Sequence, residues 1–174
     1  YDSGTLDQGD LNSLLIDVPP GPKQLRVRVY WTDPAATLNS NWTLVNTLDL
    51  SLTDPLANTW LPWKLSHFPD PDSLNLPAYR SADDRNNVEQ VTLDNPEPGT
   101  YTINIEGYAV PEGPQDYYVV WEFITDDVIL TYPVGGESLA PGESEVIRWD
   151  AYGSEGTFFL EFSLDKGSVW DTIF

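Results

Sequence analysis

Three stretches of this chain alternate apolar and polar residues one by one, and proline-rich clusters separate them. In Gln24 to Trp31, the side chains of Leu25, Val27, Val29 and Trp31 point one way and those of Arg26, Arg28 and Tyr30 the other. Leu44 to Leu52 sets Leu44, Leu48, Leu50 and Leu52 against Thr47, Asp49 and Ser51. Thr100 to Glu106 sets Tyr101, Ile103 and Ile105 against Thr102, Asn104 and Glu106. A period of two belongs to a strand with one buried face. Tyr117 to Ile124 is apolar on both faces, the pattern of a central sandwich strand. The clusters Pro19-Pro20-Gly21-Pro22, Pro69-Asp70-Pro71-Asp72 and Pro96-Glu97-Pro98-Gly99 are turns and breakers. With 15 prolines and no sustained helical periodicity, the expected class is all-β.

A boundary is expected near Thr125-Asp126-Asp127, after which a second strand set begins: Val128 to Tyr132, Glu145 to Trp149 and Thr157 to Ser163. The expected organisation is therefore a first domain over 1–125 and a second over 126–174. Three or four strands fall short of the roughly seven of an immunoglobulin-like sandwich, so the second is expected to be a partial domain.

The charge narrows the function classes. Eight basic residues against 28 acidic ones give a net charge of −20. Binding to nucleic acid, which needs clustered Lys and Arg against phosphates, is disfavoured, as is an anionic membrane surface. No stretch has the ~18 apolar residues of a membrane helix, so no membrane insertion is expected. The chain has no cysteine, which rules out disulfides and thiol nucleophiles within it.

An ordered set of short pieces resembles a known family. They are Trp31-Thr32-Asp33-Pro34, Asn46-Thr47-Leu48-Asp49-Leu50, Leu61-Pro62-Trp63, Asn86-Asn87-Val88-Glu89-Gln90-Val91, Gly99-Thr100-Tyr101 and Gly113-Pro114-Gln115. Together they are similar to the β-jelly-roll domain that follows the catalytic domain in secreted subtilisin-like serine peptidases, especially those of Bacteroidetes-type bacteria. Tyr132-Pro133-Val134-Gly135-Gly136-Glu137, Ile147-Arg148-Trp149-Asp150 and Ser163-Leu164-Asp165 are similar to the β-sandwich repeat that often comes next. The resemblance implies a jelly-roll-type β-sandwich followed by a partial immunoglobulin-like β-domain, in a secreted or cell-surface protein. It also implies a non-catalytic role, with the catalytic domain of the same polypeptide or a protein substrate as partner.

Catalysis within the chain finds little footing. Asp2-Ser3-Gly4 resembles the triplet around a subtilisin aspartate, but His67 lies in Leu65-Ser66-His67-Phe68-Pro69, and no nucleophile segment accompanies it. The residues point more readily to calcium, which takes oxygens from carboxylates, amides and carbonyls. In a jelly roll, Asp33, Asn46 and Asp49, and Asp84, Asn87 and Glu89, meet at one end, and in the family such loop positions can hold calcium. Thr47 replaces an aspartate common in the family and removes one charge. The alternative is that Asp33 and the asparagines cap local backbone, as in Asx-turns.

Seven tryptophans raise a second function, a carbohydrate-binding or surface-adhesion module that takes polysaccharide. Trp31, Trp121 and Trp149 sit on strand faces and are expected in the core. Trp42, Trp60 and Trp63 lie in or beside polar, proline-rich loops, where they either stack on sugar or pin the long connection from Asp54 to Asp83. In Ser163 to Trp170, the spacing Ser-x-Asp-x-Gly-x-x-Trp predicts a capped hairpin with a structural role.

Overall fold

A computed structural model describes residues 1–125, 127–138, 140–152 and 157–173. The chain divides into two compact units, Tyr1–Asp126 and Asp127–Phe174. Asp126, at the expected boundary, lies outside the described residues.

The first unit is a sandwich of two four-stranded antiparallel sheets. One contains β1 (Asp2–Leu6), β3 (Gln24–Trp31), β8 (Val88–Asp94) and β10 (Gln115–Ile124), in the order β1-β10-β3-β8. The other contains β2 (Leu11–Val18), β4 (Thr47–Thr53), β5 (Thr59–Trp60) and β9 (Gly99–Ala109), in the order β2-β9-β4-β5. Consecutive strands change sheet at β1–β2, β2–β3 and β3–β4, which is the jelly-roll arrangement. The long connection folds back as a small two-stranded sheet, β6 (Trp63–Lys64) and β7 (Tyr79–Arg80), separated by a single helical turn, α1 (Pro71–Leu74).

The period-two residues build the core as expected. Leu25, Val27, Val29 and Trp31 of β3 and Val91 and Leu93 of β8 are buried against Leu48, Leu50 and Leu52 of β4 and Tyr101, Ile103 and Ile105 of β9. Burying each such side chain stabilises the fold by about 1.5–3 kcal/mol. Strand β10 is central in its sheet, yet of its apolar residues only Tyr117 and Val119 are buried. Tyr118 and Val120, on its outer face, remain exposed because no layer covers that side among the described residues.

Strands β1 and β2 carry no uninterrupted period of two in the sequence and are found only in the structure. Both are edge strands, and their patterns are diluted: β1 buries Leu6 alone, while β2 buries Ile16 and Val18 but exposes Leu11 and Leu15. The turn between them docks on β9 through a close backbone approach at Gly107. A Cβ there would lie 2.3 Å from the Asp7 carbonyl oxygen, so only glycine fits.

In the second unit, β11 (Asp127–Tyr132) pairs with β12 (Arg148–Tyr152), and β13 (Glu161–Phe162) pairs with β14 (Asp171–Thr172). The strands expected over Glu145 to Trp149 and Thr157 to Ser163 are thus shifted or shortened. Trp149, expected in the core, is 43% exposed, with Phe158 6.2 Å away as its aromatic neighbour. The β13–β14 hairpin is capped in the anticipated way. Val169 N–H donates to Asp165 Oδ1 at 2.9 Å and Gly167 N–H to Ser163 Oγ at 2.8 Å, while Gly167 sits at φ +89° beside the Trp170 ring.

Candidate functional site

The acidic and amide residues singled out in the sequence form two polar assemblies within the first unit. The first ties together the end of β3, the start of β4 and the β9–β10 turn. Beyond β3, Asp33 accepts two backbone hydrogen bonds, from Val45 N–H (2.8 Å) and Asn46 N–H (2.7 Å). Asn46 is fully buried and uses its whole amide. Its Nδ2 donates to the Glu112 carbonyl and to Gln115 Oε1, both at 2.9 Å, and its Oδ1 accepts from Glu112 N–H at 3.1 Å. Gln115 Nε2 in turn donates to the Thr32 carbonyl at 3.1 Å, and Trp31 Nε1 donates to the Asn46 carbonyl at 3.0 Å. Asn87 closes the assembly from β8's side, donating to the Trp31 carbonyl at 2.8 Å. A buried polar group without a partner costs about 1–3 kcal/mol, and this network leaves none of the side-chain amide atoms of Asn46 and Gln115 without one.

The second assembly centres on Glu89, which is 2% exposed on the inner face of β8. One carboxylate oxygen accepts Leu50 N–H from the facing sheet at 2.6 Å, and the other accepts Asp83 N–H at 3.0 Å. Burial pushes this carboxyl up to about 8; the two backbone donors oppose the rise and the charges of Asp49 and Asp83 add to it. Asp83, itself buried, orders the loop before β8 by accepting from Arg85 N–H (3.0 Å) and Asn86 Nδ2 (2.6 Å). Asp84 pairs with Lys64 Nζ at 2.6 Å, and that hydrogen bond holds its carboxyl below the usual range. Lys64 also donates to the Ala82 carbonyl at 3.2 Å. Asp49 is raised by burial and by the charges of Glu106 and Asp84, with Lys64 acting the other way.

These positions test whether a calcium ion fits. The six expected ligands split between the assemblies, Asp33, Asn46 and Asn87 in one and Asp49, Asp84 and Glu89 in the other. Both carboxylate oxygens of Asp33 and of Glu89 already accept backbone N–H groups, and Asp84 is paired with an ammonium. No group of three or more metal-type side chains is gathered among the described residues. As arranged here the donor set does not fit the ion: the oxygens of Asp33 and Glu89 serve the backbone, Lys64 is paired with Asp84, and the six side chains stand in two separate assemblies.

Sequence reasoning named Asp84 where Asp83 is the buried residue, gave Gln115 no role beyond its turn, and passed over Lys64. Lys64 carried a usable signal: it is one of three lysines in a chain of net charge −20, and it directly follows Leu61-Pro62-Trp63.

The three candidate tryptophans do not share a surface. Trp42 stands apart, its ring covered by the Arg85 guanidinium at 3.5 Å. Trp60 and Trp63 line one groove between the β5 and β8 edges, with Arg80 from β7. His67 lies in the loop before α1, stacked on Phe68 at 4.9 Å, and Asp2-Ser3-Gly4 lies in edge strand β1.

No family model and no curated protein matches the chain. Among solved structures it is similar to the Bacillus licheniformis lipase BlEst2 in propeptide form, at 15% identity and a TM-score of 0.39. The match covers 68% of this chain and spans 20% of the lipase.

Proposed function

We propose that the first unit is a non-catalytic accessory module of a secreted or cell-surface subtilisin-like serine peptidase, stabilising the enzyme or contacting its catalytic domain or protein substrate. The observation that carries this reading is where the family-like pieces converge. Trp31 to Asp33, Asn46, Asn87 and Gln115 belong to one hydrogen-bonded network, and Glu89 bonds to Leu50 across the sandwich. Residues that carry the resemblance are thus spent on holding a rigid sandwich together, which suits a supporting module. Calcium is no part of the proposal, since Asp33 and Glu89 already accept backbone N–H groups and Asp84 is paired with Lys64.

The test uses the polypeptide that carries this module, with and without residues 1–126. Removing the module is expected to shorten the half-life of thermal inactivation about tenfold or more while leaving turnover of a short peptide substrate unchanged. Equal half-lives, or the absence of peptidase activity from the intact polypeptide, would overturn the proposal.

A further inference from the structure

The groove between β5 and β8 has features the accessory role does not use. It encloses about 640 Å³, within the range of small-ligand sites. Its apolar wall is Trp60 and Trp63, and both rings are locked. Trp60 Nε1 donates to Asp54 Oδ2 at 3.1 Å, and Trp63 Nε1 donates to Thr92 Oγ1 at 2.7 Å. The Arg80 guanidinium lies 3.9 Å over the Trp63 ring and is itself held by the carbonyls of Leu61 and Thr92. Even so, Trp63 remains 41% exposed. An indole needed only as a pin gains by full burial; one fixed at its edge and on one face, yet left open, is preorganised for a partner.

The rim indicates what that partner is. Asp94 and Glu97 line the groove and are exposed, Asp94 with one carboxylate oxygen taken by Gln24 Nε2 at 2.8 Å, and the exposed amides of Asn58 and Asn95 stand beside them, so the rim offers carboxylate acceptors together with amide groups. These acceptors, in a chain of net charge −20, disfavour anionic polymers. A cationic ligand is disfavoured by Arg80, whose charge already occupies the space over Trp63. A neutral, polyhydroxylated molecule with an apolar face meets these conditions.

We propose that this groove binds a neutral oligosaccharide, one sugar ring stacking on the face of Trp63 away from Arg80, with its hydroxyls donating to Asp94. Trp42, stacked under Arg85 outside the groove, takes no part. The inference stands whether or not the module belongs to a peptidase.

The test is calorimetric titration of the whole chain with hexasaccharides of β-1,4-linked glucose, xylose and mannose and of α-1,4-linked glucose, alongside a basic hexapeptide. At least one sugar is expected to bind with a Kd of about 1 mM or tighter. Trp63→Ala is expected to weaken binding about tenfold or more, Asp94→Asn about threefold, and Trp42→Ala not at all. Asp94 is exposed, so Asp94→Asn keeps the comparison valid should Trp63→Ala fold poorly. The proposal is overturned if no sugar binds at about 5 mM, if only the basic peptide binds, or if neither groove variant weakens binding.

Discussion

Glu89 offers the sharpest test of how the sandwich is held. Its carboxyl is buried between the sheets and is pushed from 4.5 up to about 8. The folded state therefore keeps a proton that the unfolded chain releases above about pH 4.5. For a raised acid the sign is fixed: this contribution is fully present below the unfolded pKa and is lost as pH rises through the folded one. Each pH unit in that window corresponds to about 1.4 kcal/mol, so the whole span from 4.5 to about 8 carries up to roughly 5 kcal/mol. Asp49, also raised by burial, adds in the same direction. The perturbation is Glu89→Gln, which keeps the shape but cannot titrate, and which turns a donor toward one of the two backbone N–H groups. The assay is urea unfolding of both proteins at steps from about pH 5 to pH 8, taking the difference in stability at each step so that the other titrating groups cancel. That difference should shrink by several kcal/mol across the range, the natural protein losing its advantage as pH rises. A difference that stays constant, or grows with pH, would mean that Glu89 is ionised throughout and that its two backbone donors outweigh burial.

Other consequences can be checked by simpler means. Asn46→Ala removes the partners of Glu112 and Gln115 at once and should cost about 2–4 kcal/mol, measured as a drop in the urea midpoint at unchanged slope. Gly107→Ala forces a methyl group against the Asp7 carbonyl, which is itself fixed by Asp10 N–H at 3.1 Å, and should cost about 1–3 kcal/mol in the same measurement. Because Asp33 and Glu89 are engaged by the backbone and Asp84 by Lys64, excess chelator should move the melting temperature by less than about 1 °C; a loss reversed by calcium would contradict the assigned partners.

Much of the sandwich was legible because its central strands are amphipathic ribbons. Leu25 to Trp31 and Tyr101 to Ile105 alternate without interruption, and each alternation is matched by burial. The edges were not legible. In β2 the outward Leu11 and Leu15 fill positions where a polar residue would have marked the period, and β5, β6 and β7 are two residues each, too short for any period. The polar assemblies were half legible. Composition gathered Asp33, Asn46, Asp49, Asp84, Asn87 and Glu89, but a carboxylate capping an N–H and one coordinating a cation look alike in sequence. Only the approach of the Leu50 and Asp83 amides to Glu89, and of Lys64 to Asp84, separates them. The pairing of Arg80 with Trp63 was equally hidden, since it joins the two strands of the small sheet across the helical turn.

The placement of β1 and β2 has a consequence for how the molecule comes into being. Asp2 pairs with Val119 and Leu11 with Glu106, so the first strands of the chain form the outer edge of each sheet against strands that come last in the unit. A ribosome or an export pore releases the amino terminus first and β10 last, and until then β1 has no partner to pair with. Pairings this distant in sequence are slow to form, since the chain entropy of closing the loop is lost before any contact compensates it. The two sheets therefore close last at the edges that the chain makes first. β2 waits for Gly99–Ala109 and β1 for Gln115–Ile124, and until then each is an unpaired edge, open to capture by a neighbouring chain.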